Sequence, residues 1–145
     1  MIVPDANLLL YAYDSRSPFH ARARDWWRTC LDGSEPVGLT HAVAFAFIRI
    51  GTSGRVYEQP LTAAEAAGHL RAWLARRVVR MLLPDMDHAE RVIALLEEAG
   101  GAGGNLVTDA QVAALALAHQ AEVHTADRDF LRLRALRCRF PLDGE

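Results

Sequence analysis

The chain predicts an α/β fold: a parallel sheet covered by helices on both faces, in a single domain over residues 1–145. Three observations carry this. Short apolar segments suited to strands alternate with longer segments of helical periodicity, the pattern of a crossover-built parallel sheet. The 145 residues are 51% apolar and 23% charged, enough to bury one substantial core and too apolar for a disordered chain. No repeat, low-complexity run or linker divides the sequence.

The elements follow in order. Residues 2–3 make a short strand and residues 7–13 one or two helical turns. Ser17 and Pro18 suit a helix start, as N-cap and first helical residue. Ala23, Trp26, Trp27, Cys30 and Leu31 then recur at helical spacing. Gly33 and Pro36 punctuate before a second strand at 37–39, and Thr40 leads an apolar helix to Ile50. Thr62 and Glu65 form a capping box ahead of Ala66, Leu70, Trp73 and Leu74. A third strand at 78–83 ends at Pro84. Asp87 caps the next helix, in which Asp85, Asp87 and Glu90 are ordinary helix-start acids. "GGAGGN" is a flexible loop, lacking the spacing of a phosphate cradle. Residues 106–120 make a helix, 122–125 a fourth strand and 138–140 a fifth.

Composition also excludes functions. A net charge of −2 argues against a general polyanion binder. All 16 basic residues are arginine. The missing lysine removes Schiff-base chemistry, P-loops and phosphoacceptor domains that need an ammonium at the site. The apolar runs at 42–48 and 112–118 are too short to span a bilayer. With no basic start, and with Asp5 interrupting any signal-like core, no export signal is expected. Cys30 and Cys138 read as free thiols of a cytoplasmic protein.

Chemistry in open parallel sheets gathers at the carboxyl ends of the strands. Asp5 follows the first strand, and Asp127 and Asp129 follow the fourth in "HTADRDF". Asp109 heads a helix whose apolar face includes Val112, Ala113 and Ala116. Clustered buried carboxylates repel and raise one another's pKa, unless a cation neutralises them. Oxygen donors without His or Cys favour Mg2+ or Mn2+. Singly, each acid has an ordinary explanation: Asp5 or Asp127 as a cap, Asp109 at the positive end of its helix. Their joint placement favours a site.

The six histidines show no metal-ligand spacing and read as surface or satisfied groups. His41 alone is set apart, following the second strand at the same crevice. Trp26, Trp27 and Trp73 read as packing. Arg128, Arg132, Arg134, Arg137 and Arg139, beside the acids, read first as a solvated face and only weakly as contacts for RNA phosphates.

The segments "IVPDANLLLYA", "AFIRIGT", "GNLVTDAQVAALA" and "HTADRDF", in this order, resemble the PIN-domain ribonucleases, most closely the toxin subunits of bacterial VapBC toxin–antitoxin modules. The resemblance implies a three-layer α/β/α domain with a central five-stranded parallel sheet. It implies Mg2+- or Mn2+-dependent hydrolysis of RNA, inhibition of growth, a homodimer, and neutralisation by a VapB-like antitoxin. The family's acids fall on Asp5, Asp109 and Asp127, with Asp129 a further acid and Asn7 and Thr125 supporting positions. One departure stands out. The family carries a glutamate in an E-L-R-x-G segment, and Phe47 occupies that position here. Asp129 or Glu35 is then left to compensate. The alternative is a PIN-fold binding module that has lost activity.

Overall fold

The computed structural model describes residues 1–101 and 103–144. Its five strands are β1 (Ile2–Pro4), β2 (Val37–Thr40), β3 (Val79–Leu82), β4 (Glu122–His124) and β5 (Arg137–Arg139). The six helices are α1 (Ala6–Tyr13), α2 (His20–Asp32), α3 (His41–Gly51), α4 (Ala63–Leu74), α5 (His88–Glu98) and α6 (Leu106–Ala118). A 3-10 turn spans Arg128–Arg132. All strand pairs are parallel, in the order β3-β2-β1-β4-β5. This is the expected three-layer α/β/α architecture.

The inner strands bury apolar residues on both sides because both sheet faces are covered. Val3, Val37, Leu39 and Val123 are fully buried. Helices supply the rest of the core, with Leu8 and Leu9 from α1, Trp27 from α2, Phe47 from α3 and Trp73 from α4. Each fully buried side chain of this size stabilises by roughly 1.5–3 kcal/mol relative to exposure. Aromatic rings interlock here: Phe47 lies 4.7 Å from Trp73, and Trp27 meets Trp73 edge-on at 5.5 Å.

Two caps differ from expectation. α2 begins at His20, because Ser17 is spent in a turn: its hydroxyl accepts from Phe19 N at 3.1 Å and its carbonyl from His20 N. Asp87 occupies the N-cap position of α5 without a capping bond; Asp85 instead accepts from Asp87 N and pairs with Arg91. The capping box at Thr62 and Glu65 forms with both bonds. Both cysteines are free. Of the "GGAGGN" loop, Ala102 lies outside the described residues; Gly100, Gly101 and Gly104 adopt positive φ, the conformation glycine alone takes without strain. Among the described residues, no helix is long and apolar enough to cross a membrane.

Candidate active site

Strand order creates the crevice. The chain runs from β1 outward to β2 and β3, then returns to place β4 on the other side of β1. The carboxyl ends of β1 and β4 therefore flank a topological switch point, where open α/β sheets bind ligands. Pro4 pairs with His124, and Asp5 N donates to the His124 carbonyl at 2.9 Å. Asp5 and Thr125 thus leave the sheet side by side.

Asp5 is 8% exposed and is also the N-cap of α1. Its Oδ1 accepts from Ala6 N at 2.7 Å, and its Oδ2 accepts from the Thr125 hydroxyl at 2.7 Å. The capping and site readings therefore coexist. Thr125, fully buried, is a junction: its Oγ also accepts from Asp127 N at 2.9 Å. Asp127 in turn caps the 3-10 turn, its Oδ1 accepting from Asp129 N at 2.8 Å. A continuous set of bonds thereby links three of the acids.

Asp109 arrives from the first turn of α6, a helix whose Ala110, Ala113, Ala114 and Ala116 pack against the core without bulk. It is 9% exposed, and its Oδ2 is buried with no hydrogen-bond partner among the described residues. Carboxylate oxygens of Asp109, Asp127 and Asp129 all lie within 4.8 Å of one another. Burial, then the charges of Asp5, Asp127 and Asp129, push the Asp109 carboxyl up to about 7. Asp5 is also raised, chiefly by burial; its bonds from Thr125 and Ala6 oppose the shift, and Asp127 adds to it.

The donor set suits a hard divalent cation: three carboxylates in reach of one point, Asp5 alongside, and an orphaned buried oxygen on Asp109. A cation would satisfy that oxygen and relieve the repulsion that raises the two pKa values.

Other expectations fare differently. Asn7 stands half-buried on the first turn of α1. His41 is exposed, its ring stacked on Phe45. Glu35 is no substitute acid, since it binds the N-terminal amine beside the opposite end of the sheet. Phe47 is fully buried among Tyr13, His69 and Trp73, where a carboxylate would be stranded among rings. The fourth acid at the cluster is Asp129. Of the arginine run, Arg128 pairs with Asp143, Arg132 binds the Ala99 carbonyl and Arg137 the Gln120 carbonyl. These three bind other parts of the chain, and among the described residues Arg134 and Arg139 are exposed without a hydrogen bond of this kind.

The sequence reading missed how three residues, Trp26, His124 and Glu122, bond one another. Trp26 is only half-buried, and its indole N–H donates to His124 Nδ1 at 3.0 Å. His124 Nε2 meets Glu122 Oε1 at 3.0 Å. The available signal was the alternation in "EVH", which puts Glu122 and His124 on one strand face.

A three-layer parallel-sheet domain with carboxylates collected at the switch point is the class that this fold and site define. Within it the chain belongs to the PIN-domain family, whose model matches residues 2–136. Ribonuclease VapC33 of Mycobacterium tuberculosis is 41% identical over 142 residues, covering 98% of this chain and 99% of its own. Two crystal structures share the fold. Mycobacterium tuberculosis VapC20, described as a sarcin–ricin-loop-cleaving toxin, has a TM-score of 0.69 and 19% identity, covering 90% of this chain and 93% of its own. VapBC2 from Rickettsia felis, bound to a promoter DNA fragment, has a TM-score of 0.65 and 17% identity, covering 96% and 98%.

Proposed function

We propose that this protein is a metal-dependent ribonuclease, the toxin of a type II toxin–antitoxin pair, acting in the cytoplasm. It hydrolyses RNA phosphodiester bonds and inhibits translation and growth until a VapB-like antitoxin neutralises it. It works as a homodimer. The carrying observation is the acid cluster: Asp109, held neutral up to about pH 7 with an orphaned oxygen, facing Asp127 and Asp129. Supporting it are relatives named ribonuclease VapC that match nearly the whole chain.

Asp5, Asp109 and Asp127 are the residues that would hold Mg2+ or Mn2+, with Asp129 closing the set. Bound there, the ion supplies charge stabilisation at the phosphoryl group and acidifies a water. The protein's own groups do the rest. Thr125 fixes the Asp5 carboxylate and the Asp127 backbone through its two bonds. Asp127, half-buried and oriented through Asp129 N, is the carboxylate suited to take a proton from the attacking water.

The test is induced expression of wild type and Asp5→Ala side by side, with sequencing of RNA 5′ ends. Wild type should give new ends at defined sites and arrest growth. Asp5→Ala should give neither while staying folded. Equal cleavage by a folded Asp5→Ala protein overturns the assignment.

A further inference from the structure

We infer that Trp26, His124 and Glu122 form a clamp that positions the β4 end, and through it Asp5, Thr125 and Asp127. The clamp is built from three side chains of complementary chemistry. Indole N–H is only a donor and carboxylate only an acceptor. Between them, His124 Nδ1 must be the bare nitrogen and Nε2 the protonated one. One tautomer and one ring orientation satisfy both bonds, each 3.0 Å long. The imidazole is 3% exposed, so loss of either bond leaves a nitrogen of a buried ring without its partner. Trp26 is itself braced, its ring 5.6 Å from Trp27, which is part of the core. α2 thus reaches across and pins a strand that neighbours it nowhere in sequence.

His124 matters because of what its backbone carries. Its carbonyl accepts from Asp5 N at 2.9 Å, the last rung before the acids. The next residue is Thr125, whose hydroxyl bonds Asp5 Oδ2 and Asp127 N. A turn of the imidazole away from Trp26 tilts the 124–125 peptide. That displaces both the partner of the Asp5 amide and the junction hydroxyl. Catalytic geometry tolerates little of this, since displacements of about 1 Å cost up to about 100-fold in rate. Trp26 and His124 touch no reacting atom in this picture; they are positioning residues. The inference rests on the site reading proposed above.

Trp26→Phe removes the donor and keeps a ring. The kcat for RNA should fall roughly 10-fold, with KM within about twofold. His124→Leu should behave likewise. His124→Asn, whose side-chain oxygen replaces Nδ1 as acceptor, should recover kcat to within about threefold of wild type. Amide hydrogen exchange of the metal-free protein gives a readout independent of activity. In Trp26→Phe the Asp5 amide should exchange about 10-fold faster, while Val37 and Val79 in the far strands stay within about twofold. Wild-type kcat in Trp26→Phe with an unchanged Asp5 amide overturns the clamp. So does a uniform rise at all three amides, which marks a structural role alone. If wild type itself leaves RNA intact, the functional reading fails, and the amide pattern still decides the clamp.

Discussion

At Asp5 one carboxylate divides its oxygens between Ala6 N and the Thr125 hydroxyl, whereas Asp109 leaves one oxygen without any partner. The contrast assigns them different costs. Asp5 is partly compensated by its two bonds, though burial still raises its pKa; the buried Oδ2 of Asp109 has no such bond. Its folded-state pKa of about 7 lies above the ordinary 3.8. Between those values the folded protein holds a proton that the unfolded chain has released. Stability of the metal-free protein should therefore fall as pH rises through this window and level off above about 7. Asp5, raised in the same sense, contributes in the same direction. Asp109→Asn removes the Asp109 share of this dependence. Urea denaturation in EDTA should show it more stable than wild type at pH 8, with the difference shrinking toward pH 5, and without RNA cleavage at either pH. A variant less stable than wild type at pH 8 would contradict the assignment of Asp109 as the strained acid. Sites commonly hold function at the expense of stability in this way.

Among the elements, α4 offers a control. Its capping box joins Thr62 and Glu65 by two bonds at the exposed start of the helix, and among the described residues neither side chain bonds an acid of the cluster. Thr62→Ala should cost about 1 kcal/mol in urea denaturation and leave cleavage unchanged. A loss of cleavage would place α4 in the site after all. The same box shows what was legible. S/T-x-x-E is a reciprocal local pattern, so Thr62 and Glu65 could be read directly. Ser17 and Asp87 have the right residue type, but each helix starts according to a competing turn: Ser17 serves Phe19 N, and Asp85 takes Arg91. The positions of Asp5 and Asp127 could be read because strand ends place them by topology, and that of Asp109 because it heads the apolar face of α6. Phe47 could not be interpreted without its neighbours, for a core ring and a lost catalytic acid look identical in sequence. Nor could the partners of the arginine run, whose fastening to Ala99 and Gln120 is a matter of tertiary contact.

For the molecule as a whole, the return of the chain from β3 to β4 brings Asp5, Asp109 and Asp127 together across more than a hundred residues. Folding thus does electrostatic work, assembling like charges that a divalent cation would neutralise under the proposed function. Protons and cations then compete for one set of oxygens, and the competition has a definite sign. Below about pH 7 Asp109 keeps its proton, and a cation must displace it to bind. Above that pH the carboxylate is free and its repulsion unrelieved. The rise in melting temperature caused by Mn2+ should accordingly be small at pH 6, larger at pH 8, and level beyond. Asp109→Asn should lose most of the pH 8 rise, while Thr62→Ala keeps all of it. Thermal melts of the three proteins with and without Mn2+ read this directly. A rise that is equal at pH 6 and pH 8 would mean that the ion binds where no proton is displaced, and the acids at the switch point would then need another explanation.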